Sequence, residues 1–251
     1  MNRRTLSSIS ALALIIAAGC ARLPQQPCAP LTHADTPFIV CTFDAADHDI
    51  RLFLNGADGA PYGQFETLAS ALETDGERLV FAMNAGMYLP DRRPVGLLIE
   101  DHEQRAPINL ADGDSNFTLK PNGVFWTGAG TAGILESEAF DASPLDPAYA
   151  SQSGPMLVID GALHPAFNAD GPSRYRRNGV GVAEDGRTVY FAISEVPVNF
   201  HTFASLFRDR LTTPNALYFD GRVSLIYAPN LTRLERGLDM GPIVGVVAKE
   251  N

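Results

Sequence analysis

Asp-Gly occurs seven times in this chain, at Asp58, Asp75, Asp112, Asp160, Asp170, Asp185 and Asp220. Both residues tolerate positive φ, so the pair suits tight reversals and above all type I′ hairpin turns. Between and beside these breaks lie short runs rich in Val, Ile, Phe and Tyr. They are Phe38–Thr42, Ile50–Leu54, Leu79–Met83, Val95–Ile99, Gly123–Trp126 and Gly133–Glu136, then Met156–Ile159, Val180–Ala183, Thr188–Ser194, Ala216–Phe219, Val223–Tyr227 and Ile243–Val247. Short apolar runs bounded by turn residues read as strands. The pair Val180–Ala183 and Thr188–Ser194, joined across Asp185-Gly186, is the clearest hairpin.

Two segments follow the helical period instead. Phe65, Leu68, Ala69 and Leu72 fall on one face, as do Phe203, Leu206, Phe207 and Leu211. Many strands, few helices and no βαβ rhythm indicate an α+β fold. The expectation is a single domain with a largely antiparallel or mixed β-sheet and a few packed helices. A length of 251 residues fits one such domain.

The first residues read as an export signal. Arg3 and Arg4 precede an apolar stretch, Ile9 to Ala18, too short to span a bilayer, and small residues follow it. Gly19-Cys20 resembles a bacterial lipoprotein processing site, which implies lipidation of Cys20. The domain plan is then a signal peptide over 1–19, a lipidated tether over 20–37 and a catalytic-type domain over 38–251. The implied location is the periplasmic side of the envelope, as an outer-membrane lipoprotein carrying palmitate, with soluble secretion as the alternative. With Cys20 lipidated, Cys28 and Cys41 remain as an even pair, expected to form a disulfide in an oxidising compartment. The net charge of −10 argues against a nucleic-acid surface.

Several familiar motifs fail on context. Gly128-Ala-Gly130-Thr-Ala-Gly133 spells a dinucleotide fingerprint, but a strand-like segment follows where a helix must begin. Asp112, Asp114 and Asn116 open like a calcium loop, yet Phe117 and Gly123 occupy its essential Gly and Glu positions. What remains is a set of polar residues at the ends of apolar strands: Asn84, Arg177, Asn178, Glu195 and Asp220. Rigid strands can bring such ends together in one cleft, although Asn and Asp also serve plain turn chemistry.

The ordered set Asn84-Ala-Gly-Met-Tyr88, Ser153-Gly-Pro-Met-Leu157, Arg177-Asn-Gly-Val-Gly181 and Asn215-Ala-Leu-Tyr-Phe-Asp-Gly221 resembles the phosphodiester glycosidase family, in a bacterial lipoprotein branch. The resemblance spans about residues 75–248 and implies hydrolysis of a sugar–phosphate glycosidic bond in a carbohydrate phosphodiester. No cofactor is called for. Asn178 and Arg222 depart from the family pattern, which leaves the sugar and the leaving group open. Such a reaction passes through an oxocarbenium-like state supported by carboxylates. Asp220 is the expected base or nucleophile and Glu195 the second acid. Arg177 is expected to grip phosphate oxygens bidentately, with Arg176 solvated. Asn84, with Gly86, Asn178 and Gly221 beside it, would bind substrate, and His201 would shuttle a proton or serve the start of its helix. Two further readings fit the same residues: a non-catalytic glycan- or partner-binding lipoprotein, and a hydrolase attacking P–O rather than C–O.

Overall fold

The computed structural model describes residues 26–249, so the signal peptide and Cys20 lie outside the described residues. The fold is mostly β, with three open antiparallel sheets where the sequence suggested one sheet beside helices. The largest has seven strands in the order Cys28–His33, Thr36–Asp44, Thr188–Ser194, Asn178–Val182, Asn215–Asp220, Met156–Ile159 and Ala162–Leu163. A second runs Arg233–Leu234, Ile226–Ala228, Glu77–Asn84, Ile243–Lys249 and Asp49–Phe53. The third runs Glu103–Ala106, Leu98–Glu100, Tyr149–Ser153, Gly123–Gly128 and Thr131–Glu136.

One chain of aromatic rings ties the sheets together. Phe43 and Phe191 of the seven-stranded sheet meet Phe81 of the second at ring-centre distances of 5.3 and 5.0 Å. Phe125 of the third meets Phe191 at 5.9 Å and Phe219 at 6.3 Å. All five are buried. Each contributes roughly 1.5–3 kcal/mol of apolar burial, so the inner faces form one core. The seven-stranded sheet is also covered on its outer face. The helix Phe200–Ser205 continues as a π-turn over Leu206–Arg210, and Phe203 and Phe207 lie on that face. Gly179 and Gly181 make room for them. A Cβ on Gly181 would stand 2.7 Å from the Phe207 ring, and one on Gly179 only 2.5 Å from the Leu217 carbonyl. The Gly-Val-Gly-Val alternation thus sends valines inward and leaves bare backbone under the aromatic stripe. The helix Phe65–Thr74 covers the second sheet through Phe65, Leu68 and Leu72.

The expected hairpin across Asp185-Gly186 forms, but not as a type I′ turn. Gly186 has positive φ and Asp185 does not; the Asp185 carboxylate instead accepts from the Arg187 and Thr188 N–H groups at 2.8 Å each. Among the seven Asp-Gly pairs only Asp160-Gly161 has positive φ at both residues, 47° and 80°. Cys28 and Cys41 form the expected disulfide. They stand directly opposite each other in the register of the first hairpin, so Cys28–His33 is an edge strand of the sheet although it falls within the stretch expected to be tether. Gly128–Thr131 is a hairpin turn with Ala129 and Gly130 at positive φ, as expected of a loop rather than a nucleotide-binding helix start.

Candidate active site

The strand ends do converge. Strands Asn178–Val182 and Asn215–Asp220 run antiparallel with Asn178 opposite Asp220, and a bulge follows at Asn178/Gly179. Asn84 arrives from the second sheet. The Asn178 amide donates to the Asn84 carbonyl at 2.9 Å and to its Oδ1 at 3.0 Å. Asn178 Oδ1 accepts from the Asp220 N–H at 3.2 Å. Asn84 Nδ2 donates to the Val223 carbonyl, and its Oδ1 accepts from the Leu225 N–H at 3.0 Å. Ser224 Oγ bonds the Asp220 carbonyl at 2.9 Å, and Ser153 Oγ bonds the Phe219 carbonyl at 2.8 Å. Asn84 and Asn178 are fully buried, so these bonds weld two sheets and fix the loop after Asp220.

Asp220 is 8% exposed. The Arg222 N–H donates to its Oδ1 at 2.8 Å. Burial pushes its carboxyl above the ordinary aspartate value, and the N–H groups of Arg222, Gly221 and Val223 oppose that rise without cancelling it. A buried carboxyl whose pKa is raised by its surroundings is the kind of group found at acid–base sites. Its charge reaches Tyr88, whose phenol is raised by burial and then by Asp220. Gly221 has no room for a side chain, because a Cβ there would stand 1.8 Å from Tyr218 Oη. Gly86 holds φ +91°, and a Cβ there would stand 2.8 Å from Ser151 Oγ. Both glycines are therefore dictated by the turns that flank the site.

Arg177 lies beside Asp220 but not as an open fork. It is fully buried. Its Nε donates to the Val198 carbonyl at 2.9 Å and its Nη2 to the Ser173 carbonyl at 3.1 Å. The guanidinium stacks on Phe200, 3.6 Å from the ring centre, with Tyr218 at 5.3 Å. Only Nη1 remains, buried without a hydrogen-bond partner like Tyr218 Oη, and both atoms face the space beside Gly221. The expected bidentate grip on phosphate is thus not available: two of three nitrogens hold backbone. Arg176 is not solvated either. It forks onto Glu235 at 2.7 and 2.8 Å.

Glu195 belongs to that ionic cluster. Both its oxygens are held by Arg233, at 2.8 and 3.0 Å, with Arg176 at 3.5 Å. With Arg233 it lines a cavity of about 330 Å³ against the first hairpin, a cavity whose lining does not include Asp220. Its link to the Asp220 network is indirect: Arg176 donates to the Ser224 carbonyl at 3.1 Å, and Ser224 in turn bonds Asp220. His201 stands on the first turn of its helix, half-buried, next to the cap formed by Asn199, whose side chain accepts from the Thr202 N–H. Among the described residues no hydrogen bond joins His201 to Asp220. Tyr88, Tyr218, Phe200 and Ser224 complete the site and were not singled out by sequence reasoning. Tyr218 alone carried a signal, two residues before Asp220 on one strand and so on the same face. Among the described residues no group of three His, Cys, Asp or Glu side chains is placed to hold a metal ion.

The phosphodiester glycosidase (NAGPA) family model matches residues 77–228, which contain Asn84, Asn178 and Asp220. The chain belongs to the phosphodiester glycosidase family. The uncharacterized protein YigE of Escherichia coli (strain K12) is 34% identical over 178 residues, covering 71% of this chain and 69% of YigE. The fold is similar to the catalytic domain of zebrafish N-acetylglucosamine-1-phosphodiester alpha-N-acetylglucosaminidase, solved auto-inhibited by its pro-peptide. That likeness has a TM-score of 0.59 at 14% identity and covers 87% of this chain and 81% of the zebrafish domain. Membership in the phosphodiester glycosidase family makes the chain a hydrolase acting on a carbohydrate phosphodiester.

Proposed function

We propose that the protein hydrolyses the C1–O bond of a sugar-1-phosphodiester in envelope glycans or related glycoconjugates, with Asp220 as the carboxylate at C1. The observation that carries this is Asp220 itself: a carboxyl buried to 8% exposure, with its pKa raised, on a network that joins two sheets. Water adds its oxygen to C1 and the C1–O bond breaks with its electron pair going to the phosphate. The sugar leaves as its hydroxyl form and the phosphate as a monoester, with one proton released. The departing phosphate is weakly basic, so one carboxylate suffices without a strong general acid, consistent with Glu195 being tied to Arg233. The Asn84 and Asn178 amides are spent on the scaffold, so their contribution is to hold Asp220 in place.

Hydrolysis of methyl-phospho-N-acetylglucosamine and related sugar-1-phosphodiesters in oxygen-labelled water tests the reading. Label in the sugar supports it, whereas label in the phosphate means P–O attack. No turnover across the series favours a binding lipoprotein. The same reading extends to location. Arg3, Arg4, the apolar run to Ala18 and Gly19-Cys20 support export and lipid anchoring at the outer membrane. A Cys20→Ala protein that still fractionates with membranes would remove the anchor.

A further inference from the structure

Many arginines among the described residues are neutralised by a carboxylate, as Arg51 is by Glu77 and Arg233 by Glu195 and Glu235. Arg222 and Arg92 are not. Arg222 is exposed, and its backbone N–H binds the Asp220 carboxylate at 2.8 Å, so its side chain leaves the main chain next to that carboxylate. Arg92 lies across the face of Tyr88 with its guanidinium carbon 5.5 Å from the ring centre. The neighbouring Asp91 is taken by Arg93. Among the described residues neither Arg92 nor Arg222 makes an ion pair or a side-chain hydrogen bond.

Tyr88 is itself held in place. Its hydroxyl donates to the Asp239 carbonyl at 2.9 Å, and its Cβ packs on Gly241, where an added Cβ would stand 2.5 Å away. The charges of Asp220, Arg92 and Arg222 all act on its phenol. Arg222 thus adjoins the Asp220 carboxylate and Arg92 adjoins Tyr88, two uncommitted guanidinium groups on a protein whose net charge is −10.

We propose that Arg222 and Arg92 form the phosphate clamp of the site, binding the phosphodiester leaving group while Arg177 serves as buried scaffold. This rests on the functional reading above and names the residues that recognise its anion. Guanidinium forks match phosphate oxygens, and a cation beside Asp220 would bind the bridging phosphate as negative charge develops on it. Arg222, one residue beyond the Asp220-Gly221 turn, is placed for the scissile phosphate. Arg92, on the loop between Tyr88 and Pro94, is placed for the outer oxygens.

The test compares the purified wild type with Arg222→Ala, Arg222→Lys and Arg92→Ala. Two readouts are used: KM for methyl-phospho-N-acetylglucosamine, and competitive inhibition by inorganic phosphate. Losing one charged hydrogen-bonding group should weaken both by about tenfold or more for Arg222→Ala, with partial recovery in Arg222→Lys and a smaller effect in Arg92→Ala. Unfolding midpoints in urea should match wild type, since neither side chain is in the core. An active enzyme whose KM and phosphate inhibition are unchanged in both alanine variants overturns the clamp alone. A wild type that turns over no sugar-1-phosphodiester overturns the functional reading and the clamp with it.

Discussion

Replacing Asn178 by alanine tests whether the polar network is what holds the site together. The variant deletes the donor to the Asn84 carbonyl and Oδ1, and the acceptor for the Asp220 N–H. Asn84 Oδ1 keeps the Leu225 N–H, so two buried groups lose this partner: the Asn84 carbonyl and the Asp220 N–H. Each buried polar group left unpaired costs about 1–3 kcal/mol, which puts the loss at about 2–6 kcal/mol. A urea slope of about 1–3 kcal/mol per molar converts this to a midpoint lowered by roughly 1 M or more. Asn178→Asp is the sharper comparison. It turns the donor into an oxygen facing the two Asn84 oxygens, so it should be the less stable of the two near neutral pH and recover as acid protonates it. Equilibrium unfolding followed by far-UV circular dichroism, beside turnover, gives both readings. An Asn178→Ala midpoint within about 0.3 M of wild type would show that the network does not carry the site.

The strands that the sequence revealed are those whose side chains advertise burial. Ile-Val-Cys at residues 39–41, Leu-Val-Phe at 79–81 and Val-Tyr-Phe at 189–191 could be nothing but sheet. Tyr149–Ser153 escaped because most of its buried residues are polar. Gln152 is 2% exposed yet satisfied by the Ser137 hydroxyl and the Asn109 carbonyl, partners remote in sequence. Glu103–Ala106 escaped because a polar edge strand has no pattern to read. The division into three sheets is a property of Phe43, Phe81, Phe125, Phe191 and Phe219 meeting at one point, which no local window contains.

The site divides along the same line. Asn84, Asn178 and Asp220 could be named because each is a polar residue ending an apolar run, and the register then set Asn178 against Asp220. The fates of Arg177 and Glu195 were hidden. Arg177 is enclosed by the carbonyls of Ser173 and Val198 and by the Phe200 ring, and Glu195 is claimed by Arg233 from the far end of the chain. In both cases a charged residue expected to face substrate is consumed by scaffold, and only its distant partners reveal this.

Four further outcomes follow from these contacts. Arg177→Lys should lose stability by about 1–3 kcal/mol in urea unfolding, since the Ser173 carbonyl loses its donor while the Val198 carbonyl keeps the Tyr175 N–H; a midpoint equal to wild type would return Arg177 to the substrate. Glu195→Gln should keep turnover within about threefold, against the about 10²–10⁴-fold loss expected of a true general acid. Reducing the Cys28–Cys41 bridge, which closes a separation of 13 residues, should cost about 3 kcal/mol, read as a lower melting temperature with the far-UV spectrum retained. Asp220→Asn carries the last and strongest expectation, because it should move activity and stability in opposite directions. Asparagine keeps the acceptor for the Arg222 N–H and removes the charge, so turnover should fall by about 10²–10⁴-fold with KM far less affected. The folded protein holds the Asp220 proton more tightly than the unfolded chain does. Its contribution therefore favours folding at pH below the ordinary aspartate value and is lost as pH rises through the raised folded value. At pH 7 the native aspartate sits on the unfavourable side of that window, so Asp220→Asn should melt at or above the wild-type temperature. That advantage should shrink steadily as the pH is lowered toward the ordinary aspartate range. A variant that is folded, equally active and equally stable at every pH would remove Asp220 from the chemistry, and with it the reason this carboxyl is buried at the end of its strand.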